Sequence, residues 1–277
     1  MRRRFSQIDV FTDEPYLGNP VAVVHDADGI DDETMHRFAR WTNLSETTFL
    51  LAPTDPAADY RVRIFTPGVE LPFAGHPTLG TCHAWLDAGG IPRAGDTIVQ
   101  QCAAGLITVR RGADGLAFAA PPLIRSGPVD DADLDEVASA LRIARSEIVD
   151  AAWADNGPGW IAVMLRDAAA VLALSPAPSE LKIGVVGPQP AGSDTAFEVR
   201  AFFPKNGASD EDPVTGSLNA SLAMWLLGSG AATAPYVASQ GTAMGRRGRV
   251  HVSTDDAGAI WVGGGTVTCV TGEVEVG

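Results

Sequence analysis

Three polar side chains stand where this sequence changes from one predicted element to the next, and together they could transfer a proton. Glu46 directly precedes the apolar stretch 47–51, where a buried carboxylate without a partner would be costly. His76 and Asp212 each precede a proline in a turn that leads into an apolar helix. A carboxylate withdrawn from water can act first as a base and then as an acid near neutral pH, while the other two groups polarise or orient the substrate. Such chemistry requires no cofactor and no metal.

Each of these side chains also has an ordinary structural explanation. Glu46 could be a charge at a strand edge, His76 could cap a turn, and Asp212 could be a helix N-cap. Ser217, five residues after Asp212, could be a buried helix hydroxyl. The neighbouring Asp210 and Glu211 are predicted to face solvent.

Two other catalytic arrangements are less well supported. A hydrolase triad of Ser217, His76 and Asp212 would need a Gly-x-Ser-x-Gly elbow, which does not surround this serine. A two-thiol racemase would need a cysteine in each turn; neither turn contains one, and Cys82 lies about two helical turns beyond the first. The residues therefore favour proton transfer by one carboxylate.

The elements around the two turns occur twice in the chain. The alternating stretch 61–67 aligns with 198–204, and Val62 and Val199 are 137 positions apart. Each stretch is followed by a turn and by an apolar helix that carries a Trp-Leu pair and ends in glycine. Two copies predict two similar lobes rather than a solenoid, which needs more repeats. Chance similarity between two amphipathic segments is the alternative.

Local patterns predict the remaining elements. Paired prolines at 121 and 122 suit a linker between the lobes. Pro77 and Pro213 are predicted at the first position of their helices. If the lobes face each other, the two helix N-termini would bind an anion such as a carboxylate.

Short apolar or alternating runs predict strands, and acidic starts followed by helical spacing predict helices. The predicted strands are at 8–12, 21–24, 47–51, 107–110, 160–165 and 250–252, and the predicted helices are at 31–41 and 133–141.

Composition excludes several classes of protein. Among 277 residues, Lys+Arg 20 against Asp+Glu 34 gives a net charge of −14, which argues against a nucleic-acid partner. The charge-free stretch 213–245 has a continuous apolar part of only eight residues, 220–227, far short of the roughly 20 needed to span a bilayer. No apolar segment follows the basic N-terminus, so no secretory signal is predicted. Three cysteines without metal-ligand spacing predict reduced thiols in a soluble, cytoplasmic protein.

Several motifs together resemble the PhzF family, the phenazine-biosynthesis isomerase and its relatives, which share the diaminopimelate epimerase fold. The resemblance runs from about Ile8 to the C-terminus, and jointly the motifs are very specific. They are residues 9–12 (Asp-Val-Phe-Thr), 18–23 (Gly-Asn-Pro-Val-Ala-Val), 43–47 (Asn-Leu-Ser-Glu-Thr), 65–67 (Phe-Thr-Pro), 73–80 (Phe-Ala-Gly-His-Pro-Thr-Leu-Gly) and 211–217 (Glu-Asp-Pro-Val-Thr-Gly-Ser).

The resemblance implies an α+β fold of two pseudo-symmetric lobes, each a β-barrel-like sheet wrapped around a central helix. The last strand, after about residue 266, would return to the first lobe. The lobes would then be 1–120 with 266–277, and 121–265. Homodimerisation is also expected from the family.

The implied activity is the isomerisation of a dihydro-hydroxyanthranilate or similar small carboxylic acid by proton transfer, without cofactor or metal. A racemase or epimerase of a small amino or hydroxy acid and a non-catalytic small-acid binding protein are the alternatives. In the epimerase branch both turns carry catalytic cysteines, whereas Ala74 and Pro213 stand near those places here. The resemblance gives catalytic roles to Glu46, His76 and Asp212, and substrate binding to Ser45, Gly75, Gly216, Ser217 and Asn19.

Overall fold

The chain leaves its first folding unit once and returns to it at the C-terminus. The computed structural model describes residues 1–205 and 207–277. Unit 1 comprises Met1–Ala119 and Gly263–Gly277, and unit 2 comprises Ala120–Val262. We propose that these units are the two lobes predicted from the sequence, 1–120 with 266–277, and 121–265.

Short strands and two main helices build the first segment of unit 1. In chain order the elements are β1 (Arg2–Val10), β2 (Asn19–Val24), α1 (Asp32–Thr42), β3 (Glu46–Leu51), β4 (Tyr60–Phe65), β5 (Glu70–Leu71), α2 (Gly75–Asp87), β6 (Thr97–Cys102), β7 (Gly105–Gly112) and β8 (Gly115–Ala119).

Unit 2 repeats this succession after one added strand and one added helix at its start. Its elements are β9 (Arg125–Pro128), α3 (Asp131–Leu141), β10 (Ile148–Asp155), β11 (Trp160–Leu165), α4 (Ala168–Leu172), β12 (Lys182–Pro188), β13 (Phe197–Lys205), β14 (Ala208–Asp212), α5 (Gly216–Ser229), β15 (Tyr236–Gln240) and β16 (Gly248–Thr254), and β17 (Ile260–Gly264) begins in unit 2 and ends in the second segment of unit 1. Two short 3₁₀ turns lie at Arg145–Glu147 and Thr242–Met244, and β18 (Thr266–Glu275) ends the chain. None of the helices among the described residues is long and apolar enough to cross a membrane.

The strands of unit 1 form a sheet that wraps around α2. Pairing runs β18–β1–β2–β3–β4–β6–β7–β8, and it is antiparallel except for the parallel pairs β2–β3 and β4–β6. Helix α2 contacts β1, β2, β3, β6, β8 and β18. Nine of its thirteen residues are buried, as expected for a helix enclosed by a sheet rather than lying on one.

Unit 2 has the same pattern of strand pairing. Strands β10 to β13 pair antiparallel, parallel and antiparallel in turn, β13 pairs parallel with β15, and β15 pairs antiparallel with β16. Strands β10–β13, β15 and β16 of unit 2 therefore correspond, in this order, to β1–β4, β6 and β7 of unit 1. Helix α5 contacts β10, β11 and β16, so it occupies the place of α2. The predicted fold class, α+β with a barrel-like sheet around a central helix in each half, is confirmed.

A second apolar layer covers the outer face of each sheet. In unit 1, Met35 and Ala39 of α1 pack in one cluster with Phe49, Phe65 and Val24 of the strands. The corresponding cluster in unit 2 joins residues of α3 and α4 to β11, β12 and β13. Each unit therefore has an inner helix that starts at a polar motif and outer helical packing against the sheet, from α1 in unit 1 and from α3 and α4 in unit 2.

Two local predictions were wrong. Strand β1 begins at Arg2 rather than Ile8, because residues 2–10 all pair with β18. The prediction relied on apolar runs, and the three arginines at residues 2–4 do not form one. Neither proline stands at the first helical position. Pro77 is the third residue of α2, and Pro213 precedes α5, whose N-cap is the extended Thr215. Proline is accepted throughout a first turn because those N–H groups have no partner within the helix.

The close packing of α2 against the sheet generates a stability prediction. A Cβ added at Gly80 would lie 2.2 Å from Cγ1 of Val21 and 3.0 Å from Cγ2 of Val10, whereas one at Gly228 of α5 would meet nothing within 4 Å. We expect Gly80→Ala to lower the free energy of unfolding by about 1–3 kcal/mol through overpacking. The matched Gly228→Ala should raise it by about 0.5–1 kcal/mol because helix propensity improves. Urea denaturation measures both, and a Gly80→Ala variant as stable as the wild type would contradict the close approach.

Candidate active site

Glu46 and His76 meet inside unit 1. Glu46 is the first residue of β3 and His76 the second residue of α2. Nδ1 of His76 lies 2.9 Å from Oε2 of Glu46, and the two side chains are 4% and 17% exposed. A carboxylate and an imidazole held this close, and largely removed from water, can exchange and store a proton.

The end of α1 sets the position of Glu46. Asn43 adopts the left-handed conformation that ends the helix, with φ 53°. The hydroxyl oxygens of Thr42 and Thr47 lie 2.8 Å apart and tie the last turn of α1 to β3. Val21 of β2 stands opposite Glu46 in a parallel register, so the strand that begins with the glutamate is fixed on its other side as well.

Buried hydroxyl and amide groups hold the helix that carries His76. Thr81 Oγ1 donates to Thr48 Oγ1 at 2.8 Å, which joins α2 to β3. Gln100 Nε2 donates to Thr78 Oγ1 at 2.9 Å, and Tyr60 donates its phenol hydrogen to Gln100 Oε1 at 3.0 Å. Because all five side chains are 1% exposed or less, these bonds fix the first turns of α2 against the sheet.

Gly75, predicted to bind substrate through its backbone, stands at a place that no larger residue could take. A Cβ there would lie 2.3 Å from the ring of Phe118. Gly75 is the first residue of α2, and Ala74, its N-cap, has no side-chain capping bond. The corresponding Gly216 is the first residue of α5, whose N-cap Thr215 also makes no side-chain capping bond. Backbone N–H groups at such helix starts are suited to an anion.

The other two unit 1 residues in the prediction flank this region in sequence. Ser45 is exposed and directly precedes β3. Asn19 is 1% exposed and begins β2. The turn before it is held by Asp9, whose Oδ2 accepts from the Gly18 N–H at 2.9 Å.

In unit 2, Asp212 is the last residue of β14 rather than the N-cap of α5, so the N-cap explanation was wrong. Its Oδ2 accepts a hydrogen bond of 2.6 Å from the hydroxyl of Thr215. Two residues, Pro213 and Val214, separate the strand from the N-cap, and this spacing lets the carboxylate face the cap instead of forming it.

A buried glutamine controls the direction of that hydrogen bond. Gln240 is fully buried, and its Oε1 accepts from the Thr215 N–H at 3.0 Å and from Asn219 Nδ2 at 2.8 Å. Its Nε2 therefore donates, to the Asp212 carbonyl at 3.1 Å and to Thr215 Oγ1 at 2.9 Å. Since Thr215 Oγ1 accepts from the amide, its own hydrogen is directed to the Asp212 carboxylate.

Sequence reasoning missed Gln240, although a signal for it exists. Gln100 and Gln240 are 140 positions apart, the same offset as Trp85 and Trp225 in the repeated helices. Each glutamine lies on the strand after the central helix and bonds a side chain in that helix, Thr78 or Asn219. Aligning the repeat for polar residues would have found the pair.

The prediction that Asp210 and Glu211 face solvent was wrong for Glu211. Arg200 donates from Nε and Nη2 to the two carboxylate oxygens of Glu211 at 2.9 and 2.7 Å, and the side chains are 7% and 15% exposed. Arg200 also donates to the carbonyls of Val171 and Leu174. The paired ion satisfies a buried charge and fixes β14 immediately before Asp212. Asp210 is more exposed and pairs with Lys205.

Ser217 is the second residue of α5 and is held from two sides. Its Oγ accepts from the indole Nε1 of Trp160 at 3.1 Å, and its carbonyl accepts from Asn156 Nδ2 at 3.0 Å. The side chain is half-buried, whereas Trp160 is 4% exposed. The two predicted unit 2 side chains are thus each held by their own hydrogen-bonding partners.

The free thiols are Cys82 and Cys102, which are buried, and the half-buried Cys269. Cys82, on α2, is fully buried, and this burial raises the pKa of its thiol to about 12. A thiol in that environment stays protonated and is a poor base.

Comparison with known proteins identifies the family. The family model of the phenazine biosynthesis-like proteins, PhzC-PhzF, matches residues 8–272. The chain belongs to this family. A relative from Schizosaccharomyces pombe, antisense-enhancing sequence 1, is 37% identical over 97% of each chain. An uncharacterised isomerase of Pasteurella multocida is 33% identical over 97% of this chain and 93% of its own.

A shorter match is closer in sequence. The trans-2,3-dihydro-3-hydroxyanthranilate isomerase of Pseudomonas aeruginosa is 57% identical over 81 residues, which is 29% of each chain. The full-length Pasteurella relative and this partial one are both named isomerases. The chain is an enzyme of the PhzF isomerase family.

Solved structures show the same fold. The PhzF-family protein of Bacillus anthracis superposes with a TM-score of 0.84 at 22% identity over 99% of both chains. A hydroxyproline epimerase from Agrobacterium vitis shares the fold with a TM-score of 0.59 at 13% identity, over 99% of this chain and 92% of that one. The PhzF chain described here thus has the epimerase-like fold that the sequence predicted.

The glutamine network generates a second prediction. We expect Gln240→Glu to lower the free energy of unfolding by about 1–3 kcal/mol, since the donor to Thr215 Oγ1 is lost and a charge is buried. Gln101→Glu keeps an acceptor for the N–H groups of Thr54 and Asp55 and loses only the exposed bond from Nε2 to Thr54 Oγ1, so it should cost less, about 0.5 kcal/mol. Urea denaturation of the two variants measures the difference, and equal midpoints would contradict a directed bond network at Asp212.

Proposed function

We propose that this PhzF-family enzyme is a cofactor-independent isomerase that moves a proton on a small conjugated or cyclic carboxylic acid of the dihydro-hydroxyanthranilate type. Glu46 is the acid/base. The observation that supports this most strongly is the buried contact of 2.9 Å between Glu46 and His76. An unpartnered carboxylate at that depth would be costly, and an imidazole within hydrogen-bond distance can take part in a proton transfer.

The reaction needs one proton and one shift of double bonds. The Glu46 carboxylate removes a proton from a carbon next to the conjugated system, and the electron pair moves along the double bonds. The protonated Glu46 then gives the proton to another carbon of the same substrate. One C–H bond breaks and one forms, the carboxylate is regenerated, and nothing is oxidised or reduced.

The remaining site residues bind and orient in this proposal. His76 holds the Glu46 carboxylate and assists the transfer, Asp212 orients a polar group of the substrate, and Ser217 binds its carboxylate. The backbone N–H groups at Gly75 and Gly216 also bind the substrate carboxylate, because the start of a helix favours an anion. Ser45 and Asn19 complete the proposed substrate-binding set.

The substrate class rests on the partial relative. The Pseudomonas aeruginosa protein whose 81-residue stretch is 57% identical is named for trans-2,3-dihydro-3-hydroxyanthranilate, and we propose a substrate of that chemical class here. Homodimerisation, a biosynthetic role and a cytoplasmic location stay predictions of the family resemblance.

Replacing the proposed base tests the function. In deuterated water, the wild type should convert trans-2,3-dihydro-3-hydroxyanthranilate to a product that carries solvent deuterium at the carbon that receives the proton. Glu46→Gln should lower kcat by roughly 10²–10⁴-fold, the range typical of general acid–base catalysis. Mass spectrometry of the product and a stopped assay measure the two effects.

The matched control is Glu33→Gln, an exposed glutamate of α1 in the same unit, which should retain the wild-type rate. A Glu46→Gln variant with wild-type turnover would overturn the assignment. Binding of the substrate by the wild type without any exchange of solvent hydrogen would instead support the small-acid binding protein.

The cysteine chemistry distinguishes this isomerase from a two-thiol epimerase. Because the Cys82 thiol is buried and its pKa is raised to about 12, we expect Cys82→Ala to keep kcat within about twofold of the wild type. Treatment with iodoacetamide should likewise leave turnover intact. Loss of activity in folded Cys82→Ala protein, together with a racemic product on chiral chromatography, would favour the epimerase.

A further inference from the structure

The turn between β10 and β11 contacts Ser217 at two different atoms. Asn156 Nδ2 donates to the Ser217 carbonyl at 3.0 Å, and Trp160 Nε1 donates to the Ser217 hydroxyl oxygen at 3.1 Å. Trp160, the first residue of β11, and Asn156, in the turn before it, lie 57 and 61 positions before the serine in sequence, so the contacts are tertiary. One turn thus fixes both the backbone and the side chain of a proposed substrate-binding residue.

The turn is itself rigidly built. Oδ1 of Asp155 accepts from the N–H groups of Gly157 and Gly159 at 2.7 Å each. Lys182 Nζ donates to the Pro158 carbonyl at 2.7 Å. Gly157 and Gly159 have φ values of 136° and 90°, which only glycine adopts readily. These bonds fix the backbone of the turn directly before Trp160.

The indole contact sets the polarity of the serine hydroxyl. An indole N–H can only donate, whereas a serine hydroxyl can donate one hydrogen bond and accept others. Since Ser217 Oγ accepts from Trp160, the hydroxyl hydrogen is directed away from the indole and toward another acceptor. Carboxylate oxygens are strong acceptors, and hydrogen bonds to them are charge-assisted.

We propose that Trp160 is a positioning residue that determines specificity: by occupying the acceptor side of Ser217 Oγ, it makes this hydroxyl a donor for the carboxylate of the substrate. The proposal rests on the proposed function for the identity of the ligand. Asn156 supports the same role because it holds the Ser217 backbone. A site organised in this way favours an anionic acceptor over a ligand that offers only donors at that position.

The test is a set of binding titrations of full-length protein with anthranilate, a stable aromatic carboxylate. Isothermal calorimetry is run on the wild type, Trp160→Phe, Ser217→Ala and the double variant. Trp160→Phe should weaken binding roughly threefold to tenfold, because one ordinary hydrogen bond that orients the serine is lost. Ser217→Ala should weaken it by roughly tenfold or more, as expected for a bond to a charged group.

The double variant separates positioning from a general structural effect. If Trp160 acts through the serine hydroxyl, the double variant binds anthranilate as weakly as Ser217→Ala, within about twofold, since the two effects are not independent. The control Trp153→Phe, in β10 of the same unit, should bind as the wild type does. In turnover assays Trp160→Phe should raise KM more than it lowers kcat.

A second variant keeps the test decisive if Trp160→Phe does not fold. Asn156→Leu removes the bond to the Ser217 carbonyl from a partly exposed turn position and should weaken anthranilate binding about threefold. Folded Trp160→Phe or Asn156→Leu protein that binds as the wild type does would overturn the proposal, as would additive losses in the double variant. Failure of the wild type to bind anthranilate would overturn it as well.

The outcomes also separate this inference from the proposed function. Wild-type protein that binds anthranilate through Trp160 and Ser217 but does not isomerise the dihydro acid would support the inference and overturn the function. If the wild type isomerises the dihydro acid and folded Trp160→Phe binds anthranilate as tightly as the wild type, the proposed function is supported and this inference is overturned.

Discussion

A helix wrapped by a sheet has its first turns buried, and the polar side chains there need partners from the surrounding strands; the rest of this structure depends on that constraint. Helices α2 and α5 begin with glycine and have no side-chain capping bond. One buried glutamine from the strand that follows each helix bonds a side chain in its first turns, Gln100 to Thr78 and Gln240 to Asn219. An unsatisfied amide or hydroxyl in this position would cost about 1–3 kcal/mol. The same bonds that allow the helix to be buried therefore also fix the residues proposed to do the chemistry.

The two copies of the repeat carry different polar groups where that chemistry is proposed. Both units keep an arginine–glutamate pair between the paired strands before the turn, Arg63 with Glu70 and Arg200 with Glu211. The pair in unit 2 is the more deeply buried of the two. Unit 1 adds a carboxylate next to an imidazole, whereas unit 2 adds a carboxylate and a serine whose hydrogen bonds have fixed direction. The two copies of one architecture thus carry different polar groups beside the start of the central helix.

The sequence predicted the repeat and the central helices, and it singled out Glu46 and His76 as candidates, because each leaves a local signal. A strand, a turn and a helix with a Trp-Leu pair recur at nearly constant offset, and the motif residues stand at element boundaries. The first residues of β1 and the burial of Glu211 left no such signal, since both depend on a partner distant in sequence: β18 for the strand and Arg200 for the carboxylate. Trp160 and Gln240 were missed for the same reason, although the spacing of Gln100 and Gln240 would have revealed one of them.

The central claim is that a carboxylate in unit 1 breaks a C–H bond of the substrate. The most direct measurement is the single-turnover rate of isomerisation of trans-2,3-dihydro-3-hydroxyanthranilate deuterated at the carbon that loses its proton, compared with the unlabelled acid. If Glu46 removes that proton in the step observed, deuteration slows the wild-type reaction several-fold. Equal rates for the two substrates in a single turnover would contradict the account.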